Sequence, residues 1–92
     1  MKVVLKEQEY EVIKNYKDGF NKEDLTNLYT DYFKDYDYIL GDYAYSKLRL
    51  KGFCNKENKM LNNINDYDNI DKYIKEECAY ECKYFVLKKI EK

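Results

Sequence analysis

"GDYAYSKLRLKGF" (residues 41–53) decides how this chain is read, because its second half alternates strictly between apolar and cationic side chains. Leu48 and Leu50 fall on one face of an extended segment, and Lys47, Arg49 and Lys51 fall on the other. A helix would scatter these five residues around its circumference, so the stretch predicts a strand, entered through a corner at residues 42–45. Arg49 is also the one arginine in the chain. Lysine, tyrosine, asparagine, isoleucine, phenylalanine and methionine make up 49 of the 92 residues, as the drift of an AT-rich bacterial genome would produce. In such a background a retained guanidinium points to a need for its planar, multi-donor head.

Working outward, "KVVLKEQEYEVIK" also alternates, with Val3, Leu5, Tyr10 and Val12 sharing a face around a turn at Glu7 and Gln8. Asp18-Gly19 is a turn signal. Asn21 can then cap a helix whose third position is Asp24, with Phe20 and Leu25 placed as a hydrophobic staple. Leu25, Leu28, Tyr29, Tyr32, Phe33 and Tyr36 recur at helical spacing, which predicts a helix over 22–36. "YDYIL" predicts a buried strand ending at Gly41. The asparagine-rich stretch at 54–69 is the least structured, with room for a brief strand near Met60 and Leu61. Asp68 can cap a second helix whose inner side carries Ile70, Tyr73, Ile74 and Cys78. The run Tyr84-Phe85-Val86-Leu87 suits a central strand covered on both faces. The fold class expected is therefore α+β: a single compact domain over 1–92, with a mainly antiparallel sheet of about five strands and two packed helices.

Composition narrows the chemistry. The 92 residues carry 17 Lys+Arg against 18 Asp+Glu, a formal net charge of −1, so no global field draws the molecule to nucleic acid or an anionic membrane. Histidine is absent, which removes Ser-His and Cys-His nucleophilic pairs and histidine-containing zinc sites. Three cysteines cannot fill a four-ligand structural site, so no metal and no cofactor is expected. The opening residues reach Lys6 and Glu7 before a signal-peptide core can form, and no apolar run approaches the roughly 20 residues of a membrane span. The expected location is cytoplasmic, with reduced thiols. Asp31, Asp35 and Asp37 read as solvated carboxylates rather than a catalytic set. The three glycines, at 19, 41 and 52, lie too far apart to form a phosphate loop.

"KDGFNKED", "YDYILGDYAYSKLRLKGF" and "ECAYECKYFVLKK" together resemble the YutD-like family, small proteins of low-GC Gram-positive bacteria. The likeness runs in order from about Tyr10 to Lys89. The resemblance implies an α+β single domain and no established activity. Tyr43-Ala44 stand where the family pattern often has Trp-Gly, so no particular ring at that position is implied to be essential. Glu81 stands where a glycine often precedes the second cysteine, so the tight turn there is not carried over.

Three readings of a site follow from the residues. Lys47, Arg49 and Lys51 would stand roughly 6.5 to 7 Å apart along a strand, close to the spacing of successive phosphates. Tyr43 and Tyr45 could stack on bases at about 1 to 3 kcal/mol each. That would make a non-enzymatic module binding RNA or a ribonucleoprotein. The same surface could instead take a protein partner, with tyrosines as anchors. Arg49 could also be structural, folding onto Asp42 as a bidentate ion pair. Cys78 and Cys82, in C-x3-C spacing, could form a redox pair or transient metal clamp, or simply pack as small apolar groups. Neither a membrane association nor an oligomeric state is indicated.

Overall fold

A computed structural model of the chain describes residues 1–77 and 82–91. Two hairpins and a final strand build one five-stranded sheet. β1 (Lys2–Leu5) turns into β2 (Gln8–Tyr16), β3 (Tyr38–Ala44) turns into β4 (Lys47–Phe53), and β5 (Tyr84–Lys89) completes it. The strand order is β1-β2-β5-β3-β4, with every neighbouring pair antiparallel. The last strand thus lies in the middle, and Tyr84, Phe85, Val86 and Leu87 are all buried, as their unbroken apolar run predicts.

Helices cover both faces. α1 (Lys22–Leu28) and a 3-10 turn (Asp31–Asp35) lie on one, where Val3, Leu5, Tyr10, Leu25, Tyr29, Ile39, Phe85 and Leu87 form the larger core. α2 (Ile70–Glu77) lies on the other, over Leu40, Phe53, Tyr84 and Val86. This is the α+β class, with the five antiparallel strands and two helices expected. Among the described residues, no helix is long and apolar enough to cross a membrane.

The elements depart from expectation in five places. The first turn is Lys6-Glu7, both with positive φ, rather than Glu7-Gln8, because Leu5 and Gln8 already pair. The helix expected over 22–36 stops at Leu28: Tyr29 is extended (φ −68°, ψ 134°), and this drops its ring inward. Its hydroxyl lies 2.8 Å from that of Tyr10, a partner that a buried tyrosine needs and a continued helix would not supply. Leu28 and Tyr32, counted on the apolar stripe, are exposed. Asp42 is not a corner residue, since β3 runs on to Ala44 and the turn is Tyr45-Ser46. The side chain that caps the start of the α2 segment is Asp66, accepting from the Asp68 N–H at 3.0 Å, rather than Asp68 itself. No strand forms near Met60 and Leu61.

The asparagine-rich loop is held instead by its own side chains. Asn58 donates to the Asp35 carbonyl (2.9 Å) and the Asp37 carboxylate (3.0 Å), while buried Asn65 donates to the Met60 carbonyl (3.0 Å). Amides satisfied in this way replace a sheet ladder where no strand is available.

Each glycine sits where a second chain segment comes close. A Cβ on Gly19 would lie 2.7 Å from the Tyr84 backbone nitrogen. One on Gly41 would collide with the ring of Phe85, its register partner on β5. The ring fills the place of the missing side chain and locks β3 to β5. Gly41→Ala is expected to destabilise the fold by about 1 to 3 kcal/mol, and Gly41→Ala with Phe85→Leu to recover part of that loss. Urea unfolding of both variants checks this.

Candidate functional site: the β3–β4 hairpin

The hairpin shows how the lone arginine is used. Asp42 and Arg49 are register partners on β3 and β4, so their side chains emerge side by side on one face. Arg49 Nη2 donates to Asp42 Oδ2 at 2.6 Å and Nε donates to Oδ1 at 3.1 Å, a two-pronged contact that lysine cannot make. The Asp42 side chain is 5% exposed, while that of Arg49 is 47% exposed. The buried carboxylate therefore sets the value of the pair, and the guanidinium spans from it to solvent. Arg49 Nη2 also donates to the Glu77 carbonyl at 3.3 Å, tying β4 to the last turn of α2, where a cation also suits the helix dipole.

The remaining predicted site residues are dispersed. Lys51 lies 5.3 Å from the Phe53 ring centroid and 5.4 Å from that of Tyr73, half-buried against α2 rather than standing on an open ridge. Lys47 is exposed. Tyr43 lies on the opposite face, toward α1, where its hydroxyl donates to Asp24 Oδ2 at 2.9 Å and Lys83 Nζ stands 4.6 Å from its ring centroid. The structure thus joins Asp42 to Arg49 and Lys51 to aromatic rings, and it separates Tyr43 from the cations. From the sequence Asp24 was read only as a position of a helix cap and Tyr73 only as a core residue, and Glu77 and Lys83 were not singled out. Each is brought in by a contact between segments far apart in the chain.

Tyr45 stands apart. It is 99% exposed at the hairpin tip, and it is held with Ser46 in the left-handed region (φ 52° and 65°). Two consecutive positive φ values make the tight turn whose twist matches its strands, a turn favouring Asn-Gly. Left-handed backbone costs a non-glycine residue roughly 1 kcal/mol or more. Among the described residues Tyr45 is the one aromatic in that conformation.

The thiols offer little chemistry. Cys54 is fully buried, and burial followed by the nearby Asp37 charge pushes its thiol pKa up, away from the reactive thiolate. Cys82 is half-buried, and Cys78 lies outside the described residues. Among the described residues, no cluster of three or more metal-ligating side chains exists. Asp37 accepts from the Asn55 N–H at 2.9 Å and from Asn58, so it anchors the loop. Asp31 pairs with Lys34 at 3.4 Å.

These features describe a small α+β scaffold that projects a rigid, tyrosine-tipped hairpin. Residues 4–88 match the family described as "Putative antitoxin YutD-like", and the chain belongs to that YutD-like family. It is 42% identical over 90 residues to "Putative antitoxin YutD" of Bacillus subtilis (strain 168), an alignment covering 98% of this chain and 99% of that one. The solution NMR structure of protein yutD from B. subtilis superposes with a TM-score of 0.83 at 41% identity, over 100% of this chain and 84% of that one.

Two outcomes follow. Arg49→Lys keeps the charge but loses the fork, and is expected to cost about 1 kcal/mol, a drop in Tm of about 4 to 8 °C in a domain of this size. Differential scanning calorimetry reads it. Burial and the Asp24 bond push the Tyr43 hydroxyl up to about 12, and the Tyr32 bond followed by burial does the same for Tyr36. Unfolded tyrosine ionises near 10, so the native state holds these protons longer. Their stabilising contribution is full below pH 10 and is lost as pH rises toward 12. Urea midpoints measured from pH 9 to 12 are expected to fall, and to fall less in Tyr43→Phe.

Proposed function

We propose that this chain is a non-enzymatic, protein-binding module of the antitoxin kind, engaging a second protein through the β3–β4 hairpin. The observation that carries this reading is Tyr45: a large aromatic held in a costly left-handed turn, exposed at 99%, and burying nothing within the fold. The hairpin turn needs the left-handed backbone but not a tyrosine in it, and an aromatic retained where the fold does not use its ring points to a functional demand. A tyrosine on a preorganised tip loses little entropy on docking and is the type of side chain that anchors protein interfaces. Tyr43, clamped by Asp24 and Lys83, and the Arg49–Asp42 pair hold the strands behind it. The family and the B. subtilis relative are both described as "Putative antitoxin", a role that supports a protein partner.

An RNA platform is the weaker reading of the same surface. Arg49 is matched by a buried carboxylate, Lys51 lies against two rings, and Tyr43 faces the other way, so no row of open cations flanked by open rings is left.

The decisive variant is Tyr45→Asn with Ser46→Gly, which installs the residues that the turn favours. It is expected to match or exceed the wild-type stability by about 1 kcal/mol. In affinity capture from the host lysate it is expected to lose the protein partner at least tenfold, a loss of about 1.4 kcal/mol or more. Capture by wild type should survive nuclease treatment and change little between about 50 and 200 mM salt. Capture that vanishes with nuclease and falls steeply with salt would instead establish the nucleic-acid reading.

A further inference from the structure

β4 (Lys47–Phe53) is an edge strand, bonded to β3 on one side; on the other, among the described residues, pairing begins only beyond its end, where Cys54 bridges to Asp66 through the Asn65 carbonyl and the Tyr67 N–H. The direction of its backbone groups can be worked out. The Tyr43 N–H donates to the Lys83 carbonyl, on the β5 side of β3, so by alternation the N–H groups of Asp42 and Ala44 point toward β4. Their register partners Arg49 and Lys47 therefore spend their backbone groups on β3. The backbone groups of Leu48 and Leu50 point outward, and they form the template of a further strand.

The side chains along this edge select what can pair with it. On one face lie Lys47, Arg49 and Lys51, and on the other Leu48 and Leu50, which pack against the larger core. A second copy is disfavoured: any antiparallel register that keeps both leucines on the core side sets cation against cation. A segment with carboxylates opposite Lys47 and Lys51 meets attraction there, Arg49 between them being already matched by Asp42. Past Lys51 the edge leads into a groove of about 310 Å³ lined by Phe53, Tyr73 and the 74% exposed Ile64 together with Lys51, Glu76 and Glu77, whose carboxylates favour an apolar rather than an acidic residue there. A strand running antiparallel to β4 would reach this groove with its N-terminal end.

We propose, on the basis of the protein-partner reading above, that the outer edge of β4 receives an extended acidic segment of the partner as a sixth, antiparallel strand. That segment alternates Asp or Glu with apolar residues and carries an apolar anchor at its N-terminal end for the groove. Main-chain bonds to Leu48 and Leu50 supply affinity, and Lys47 and Lys51 supply the selection for acidic side chains.

The probe is the synthetic peptide Leu-Val-Glu-Val-Glu-Val, whose leucine shares the face of its glutamates as the groove shares the face of the lysines, added to the full chain and followed by amide hydrogen exchange. The expected result is at least tenfold slower exchange at Leu48 and Leu50, with Arg49, whose amide is already bonded to β3, unchanged. Methylating alternate peptide nitrogens should abolish the effect. Doubly substituted Lys47→Glu, Lys51→Glu protein should bind Leu-Val-Lys-Val-Lys-Val in preference. Unchanged exchange at Leu48 and Leu50 while Tyr45-dependent capture persists would overturn the added strand and leave the protein-partner reading standing. Protection that rises with protein concentration alone would overturn it in favour of self-pairing. If Tyr45-dependent capture fails but the peptide protects both leucines, the edge proposal holds and the hairpin-tip reading falls.

Discussion

The sheet depends on β5 being threaded between two hairpins that share no strand pairing with each other. β1–β2 and β3–β4 each form locally, with turns of two residues, but only the last strand joins them. The position is filled from both sides: Phe85 and Leu87 enter the core beneath α1, while Tyr84 and Val86 enter the core beneath α2. Closing such long loops costs entropy before any contact is returned, so the apolar area buried by these four side chains must offset it. Gly41 makes the docking possible, because any side chain there would hold Phe85, and with it β5, away from β3.

The same arrangement leaves β4 at the boundary of the sheet. An edge is a liability unless something blunts it, and alternating cations do so while admitting a partner of opposite charge. The Arg49–Asp42 pair fits this position. It couples β4 to β3 and, through the Glu77 carbonyl, to the end of α2, so the exposed strand is held from two directions. A carboxylate as buried as that of Asp42 needs a partner that can satisfy both oxygens, which explains why arginine rather than lysine stands at 49.

Tyrosine serves two different ends in one chain. Tyr10 and Tyr29 bury their rings edge to face, 5.8 Å apart, and satisfy each other's hydroxyls, with burial first and then that bond raising the Tyr10 pKa. Tyr38 and Tyr67 stack at 3.6 Å, over the α2 side of the sheet. Tyr45 makes the opposite choice and stays in water. Aromatic content alone therefore says little about binding, and the backbone conformation beneath the ring is the informative feature.

Alternation of apolar and polar residues was enough to determine the strands at Val3–Leu5 and Leu48–Leu50, an unbroken apolar run the strand at Tyr84–Leu87, and the residue type before an apolar stripe the cap at Asn21, because period and capping act over a few neighbouring residues. The pairing of Asp42 with Arg49 was also open to view, since the two lie only seven residues apart in the chain. Tertiary structure alone decided that Tyr29 leaves the helix to meet Tyr10, that Tyr43 turns toward Asp24 and away from the cations, and that Lys51 tucks against Tyr73. Each of those outcomes is a bargain between segments remote in sequence, where the demand of a buried polar group or an unfilled space outweighs local preference. No window of neighbouring residues contains both parties to it.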